Sequence, residues 1–194
     1  MAEERLLGNS FGDLGGTLFS RCFWYTIIPV LTQGHEAHLT SIGDIAADSF
    51  HAYDLVCLGG PCHGTDLAEP LKKILAAIAQ SPPFKMVGFA THATPTPQGD
   101  ERRRELYEKW AGRCADSFER TCQEKGIELL GYFSRQGAAS PAIEDFIHRE
   151  IVTDEEEWEA YVAEVRNHPN GEDVERAREF ARTAVSQVDI RIGR

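Results

Sequence analysis

Three short segments of the chain collect residue types that can hold a ligand or carry a reaction. The first is Gly8-Asn9-Ser10-Phe11-Gly12-Asp13-Leu14-Gly15-Gly16-Thr17. Its glycines let backbone N–H groups turn inward around an anion, and a helix starting behind it adds partial positive charge. Gly12, Gly15 and Gly16 would shape such a cradle, with the hydroxyls of Ser10 and Thr17 donating to phosphate oxygens. No lysine follows the glycines and no Gly-x-Gly-x-x-Gly occurs, so the segment is neither a nucleotide-triphosphate loop nor a dinucleotide loop of the usual form. A flexible turn ahead of a helix accounts for the same composition equally well.

The second segment is Gly59-Gly60-Pro61-Cys62-His63-Gly64-Thr65. Glycine and proline fix the backbone there, so Cys62 and His63 are expected to project, framed by Pro61 and Gly64. His63 can hydrogen-bond to a planar ligand or stack on it. A neighbouring Cys and His also invite a nucleophile or a metal, yet adjacent residues seldom bring their reactive atoms together without a third group. The third segment, Thr91-His92-Ala93-Thr94-Pro95-Thr96-Pro97-Gln98-Gly99, is polar, uncharged and stiffened by proline. It suits edge-on hydrogen bonding to a neutral ring, with Thr91, His92, Ala93 and Thr94 nearest the strand. An ordinary surface loop is the plainer reading of that stretch. The remaining histidines carry less: His35 and His38 are three apart, which on a strand points them to opposite faces, and His51, His148 and His168 show no partner spacing. No catalytic residue and no metal ligand is assigned.

Each segment follows a stretch that reads as a β-strand, and open parallel sheets bind ligands beyond the carboxyl ends of their strands. Leu55-Val56-Cys57-Leu58 is apolar at every position, as a strand covered on both faces should be. Lys85 to Ala90 and Ile127 to Phe133 are further strands, and Glu36 to Leu39 is a shorter one suited to a sheet edge. Between them the spacing predicts a helix over Thr17 to Thr32, one capped by Thr65-Asp66 and running to Ile78, and one from Asp100 to about Lys125. Acidic Asp154 to Glu157 opens another helix, and a turn at Asn167 to Gly171 precedes a last one. This alternation argues for an α/β domain with a mostly parallel sheet. One domain over 1–194 is expected, with a core of about 5–147 and a helical extension of about 150–188.

Composition narrows the function. The 194 residues carry 20 Lys and Arg against 31 Asp and Glu, a formal charge of −11 that repels phosphate backbones and favours a basic protein partner. No apolar stretch reaches the ~20 residues of a spanning helix, and the acidic start does not read as a secretory signal. The five cysteines form no CxxC pair and read as reduced thiols, so a cytoplasmic protein is expected, with neither nucleic acid nor membrane as partner.

Taken together, these segments resemble the flavodoxin family. Asp54 to Thr65, followed by Leu71-Lys72-Lys73-Ile74-Leu75, resembles the family's third strand, the loop over its flavin and the next helix. Val87 to His92 is similar to the fourth strand and second ring loop, and Gly131 to Gly137 to the end of the fifth strand. The close, His168 to Asp173 and then Ala177 to Ala181, is similar to tails of small flavodoxin-like proteins. The resemblance spans most of the chain. It departs at the phosphate loop, where only Gly15-Gly16-Thr17 fits, and at Cys62-His63, where the family usually places Tyr or Trp. The resemblance implies a three-layer sandwich around a five-stranded parallel sheet in the order 2-1-3-4-5. It also implies FMN bound noncovalently and electron transfer to a redox partner protein. An FMN-dependent NAD(P)H reductase of a quinone-like acceptor, with a homodimer possible, is the enzyme alternative; a module that has lost flavin is the third reading.

Overall fold

The computed structural model describes residues 5–10, 35–97 and 100–188, the first of these ranges by its backbone. In chain order the strands are β1 (Arg5–Ser10), β2 (Glu36–Ser41), β3 (Leu55–His63), β4 (Asp66–Leu67), β5 (Lys85–His92) and β6 (Glu128–Gln136). They assemble in the order β2-β1-β3-β5-β6, every neighbouring pair parallel. The two-residue β4 folds back antiparallel on the end of β3. The sheet is therefore mixed rather than the five-stranded, all-parallel one expected. The reason lies in the Gly64-Thr65 turn, whose φ angles of +56° and +78° close a two-residue hairpin between His63 and Asp66.

That hairpin also displaces the expected helix cap. Asp66 accepts from its neighbour Leu67 N and from Ser117 Oγ, both at 2.7 Å, so its carboxylate is engaged away from a helix start. The helix α1 begins instead at Glu69, with Pro70 in its first turn (Glu69–Ala77). The long helix predicted from Asp100 divides into α2 (Glu101–Trp110) and α3 (Arg113–Lys125). Asp100 does cap the first, accepting from Arg103 N at 2.7 Å. At the break, Tyr107 O receives both Ala111 N and Gly112 N, and a Cβ on residue 112 would come within 2.9 Å of Glu108 O.

Strand alternation sends Val56, Leu58, Met86 and Ala90 to one face and Leu55, Cys57, Val87 and Phe89 to the other. The first face packs against α1 and α3 through Leu71, Ile74, Leu75, Cys114 and Phe118. The second packs against the last helix, α6 (Gly171–Ser186), through Ala177, Ala181 and Ala184. Between β6 and α6 lie α4 (Pro141–Glu150) and α5 (Glu155–Arg166), with a small core of Ile147, Val152, Tyr161 and Val165. α4 has no counterpart in the sequence reading, and the helix predicted over Thr17 to Thr32 lies outside the described residues. Among the described residues, no helix is long and apolar enough to cross a membrane.

Candidate functional site

A ligand crevice is expected where strand order reverses, and here β2 and β3 lie on opposite sides of β1. Ser10 is the last residue of β1 and opens on that switch point. Gly12, Gly15, Gly16 and Thr17 lie outside the described residues. The other edge of the crevice is formed by the ends of β3, β5 and β6, held in register by Pro61 opposite Thr91 and His92 opposite Gln136.

Gly59 to Cys62 are not the loop anticipated but the continuation of β3. Pro61 is buried, Cys62 half-buried, and His63 and Gly64 exposed at the hairpin tip. Thr91 and His92 likewise belong to β5, and the polypeptide leaves the sheet only at Ala93. His92, read from the sequence as part of a loop that meets a ring edge-on, is instead enclosed and 4% exposed. Its Nδ1 lies 3.0 Å from Thr94 O and its ring meets Tyr107 edge-on at 5.1 Å. Burial, aided by the Arg135 charge and opposed by the Thr94 carbonyl, pushes its pKa down to about 4. His92 is therefore neutral at pH 7. Thr91 and Thr94 are buried as well, and Ala93 packs on the core beneath α5.

The cover over this loop has a specific construction. Tyr161 of α5 donates its hydroxyl to Ala93 O at 2.7 Å. Two bidentate pairs tie α5 to α2: Arg102 to Glu157 at 2.7 and 2.8 Å, and Arg103 to Glu164 at 3.0 and 2.5 Å. A cavity of about 210 Å³ remains beside them, lined by Pro95, Leu106, Val152 and Tyr161 among others. It is smaller than the ~300–1,000 Å³ of typical ligand pockets and lies to the side of the strand ends.

Several polar groups at the strand ends were not singled out from the sequence. Tyr107 and Ser134 share a hydrogen bond of 2.9 Å, and Gln136 is fully buried beside His92. Neither amide atom of Gln136 nor His92 Nε2 has a hydrogen-bond partner among the described residues. Buried polar atoms are nearly always satisfied, by protein, ordered water or ligand. These orphaned donors and acceptors at the crevice fit a group with a polar, hydrogen-bonding edge. Only the run Ser134-Arg135-Gln136 at a strand's end could have flagged them. On the opposite face, Asp173 is buried, receives Asn170 N at 2.9 Å, and lies 2.5 Å from His168 Nδ1 and 3.5 Å from Arg135 Nε. His168, read in the sequence as lacking a partner, thus meets Asp173, and Asp173 with Arg135 links α6 to the end of β6. No group of three or more His, Cys, Asp or Glu able to hold a metal occurs among the described residues.

Comparison with solved structures assigns the architecture. The fold is flavodoxin-like. Oxidised flavodoxin 1 of Bacillus cereus superposes with a TM-score of 0.58 at 16% identity, covering 96% of this chain and 100% of that one. A Streptococcus pneumoniae flavodoxin gives 0.55 at 13% identity, over 96% of this chain and 100% of that one. The rubredoxin oxygen:oxidoreductase of Desulfovibrio gigas gives 0.56 at 11% identity over 95% of this chain, which matches 35% of that longer protein. No family model and no curated protein matches the sequence.

Proposed function

We propose that the protein binds FMN noncovalently and transfers electrons to a partner protein. The observation that carries this reading is the switch point itself: parallel β1, β3 and β5 end together on one side of the sheet, in a flavodoxin-like order. Ser10 and the segment holding Gly12, Gly15, Gly16 and Thr17 would hold the phosphate. The ends of β3 and β5 would hold the ring, through Pro61, Cys62, His63 and Gly64 on one side and Thr91 to Thr94 on the other. Because Thr91, His92 and Thr94 are buried, that second side would contribute peptide groups and, of these three side chains, only the unpartnered His92 Nε2. Gln136 and His92 Nε2 supply unmet hydrogen-bonding capacity next to it. The bound flavin supplies the one- and two-electron chemistry; the chain's part is to bind, orient and shield it. His63, exposed at the hairpin tip, would hydrogen-bond to the ring or stack on it. The net charge of −11 favours docking to a basic redox partner.

A second reading is favoured by the cover over the loop after β5. With Ala93 O bonded to Tyr161 and His92 enclosed, one wall of the usual ring site is occupied by the protein's own α5. That arrangement suits a flavodoxin-fold module without cofactor. The visible spectrum of the protein purified under non-denaturing conditions separates the two. Flavin bands released as FMN on denaturation support the first reading, and a colourless protein that does not take up added FMN supports the second.

A further inference from the structure

We infer that Cys62 and Cys114 form a redox-active pair, a reachable thiol and a buried partner that close to a disulfide when a hydroperoxide oxidises the first. The fold brings them together from distant parts of the chain. Cys62 stands near the end of β3 and packs on the core cluster that contains Cys114. Its Sγ donates to Trp110 O at 3.4 Å, at the break between α2 and α3. Cys114 is the second residue of α3, four residues beyond the Trp110 carbonyl that Cys62 meets, and is fully buried in the cluster on which Cys62 packs.

Access and reactivity fall on the same sulfur. Cys57, Cys114 and Cys122 are at most 3% exposed, whereas Cys62 is half-buried. Hydrogen bonding from Cys114 favours the Cys62 thiolate against its burial and the nearby Asp66 carboxylate. Burial instead pushes the Cys57 thiol up to about 12 and the Cys122 thiol up to about 11. Tyr132, whose buried hydroxyl lacks a partner of ordinary hydrogen-bond geometry, and Tyr107 are the other titratable groups beside the pair.

The chemistry balances in two steps. The Cys62 thiolate attacks one oxygen of the hydroperoxide, forming an S–O bond as the O–O bond breaks. The departing alkoxide takes up the proton that Cys62 released and leaves as alcohol. The Cys114 sulfur then attacks the Cys62 sulfenic acid, forming S–S and breaking S–O, and the hydroxide leaves with the Cys114 proton as water. Two thiols lose two electrons and two protons, and the hydroperoxide gains them. A small-molecule thiol reverses the disulfide by exchange. None of this requires bound flavin.

The test exposes the full-length protein to hydrogen peroxide, alkylates it under denaturing conditions and maps the products by mass spectrometry. Alkylatable cysteines should fall from five to three, with one linked peptide joining Cys62 to Cys114, and dithiothreitol should restore all five. Cys62→Ser should keep its remaining thiols under the same exposure. Cys114→Ser should stop at a Cys62 sulfenic acid that dimedone traps. Wild-type protein that keeps five free thiols, or a linkage that joins Cys62 to any other cysteine, overturns the inference. Circular dichroism checks that both variants are folded, and if either is not, the wild-type linkage map decides.

Discussion

Gly59 reads as a turn residue in the sequence, yet it lies within β3, directly opposite Phe89 of β5. A Cβ added there would fall 1.9 Å from Phe89 Cδ1, 2.1 Å from Cε1 and 2.4 Å from Cγ. Carbon atoms in contact need about 3.5–4.0 Å, so Gly59→Ala obliges the ring to retreat by roughly 1.5–2 Å. Phe89 is 1% exposed and packed among Leu55, Cys57, Val87 and the alanines of α6, which leaves no space to receive it. Overpacking of this kind costs about 1–3 kcal/mol, and the fully enclosed ring places Gly59→Ala at the upper end, about 3 kcal/mol. For a chain of this size that corresponds to a loss of about 6–12 °C in Tm. Urea unfolding followed by far-UV circular dichroism measures it, with Phe89→Leu and the double variant completing a cycle. The two substitutions should couple by about 1–2 kcal/mol, because the smaller side chain vacates the space that the new methyl needs. A Gly59→Ala variant within about 0.5 kcal/mol of wild type, or strictly additive effects, would refute the packing reason for this glycine.

Three further outcomes are expected. His92 has a folded pKa of about 4 against 6.5, so the unfolded chain binds more protons between those values, and stability present above pH 6.5 is lost as pH falls toward 4. The full loss is roughly 3 kcal/mol, and urea unfolding at pH 7 and pH 5 should show His92→Gln losing less than wild type; equal losses would remove His92 as the source. Thr65→Gly relieves a β-branched residue held at φ +78°, a strain of about 1–2 kcal/mol offset by about 0.5–1 kcal/mol of added chain entropy, so thermal unfolding should show a small gain in stability. Asp173→Ala leaves Arg135 and His168 without their buried carboxylate and should cost about 3 kcal/mol, measured by the same unfolding assay.

The central strands were legible because β3 and β5 are buried on both faces, which leaves uninterrupted apolar runs in Leu55 to Leu58 and Met86 to Ala90. Their ends were not. Gly59, Gly60 and Pro61 carry a local turn signal, and Phe89, far along the chain, decides that they extend the strand. The break between α2 and α3 was hidden because the apolar spacing of Leu106, Trp110, Cys114 and Phe118 continues across it. α4 escaped notice because only Ile147 of its apolar residues is buried, with Ile143 and Phe146 exposed. At the site, residues adjacent in sequence were easy to group, whereas partnerships across the chain were not. Cys62 with Cys114, His92 with Tyr107, and Arg135 with Asp173 depend on tertiary packing alone. The buried His92 ring meets Tyr107 of α2 and the Thr94 carbonyl, and the Tyr107 contact is one no local pattern encodes.

Flavin recognition is tested most directly by titrating the protein, stripped of any bound flavin, into FMN and separately into riboflavin, following the quenching of flavin fluorescence. If Ser10 and the segment ending at Thr17 hold the phosphate, FMN should bind more tightly than riboflavin by about 2 kcal/mol, or about thirtyfold, the scale of hydrogen bonds to a charged group. Thr17→Val should weaken FMN and leave riboflavin unchanged. Equal affinity for the two flavins would contradict phosphate recognition by this segment, and the absence of quenching with either would contradict the flavin-binding reading as a whole.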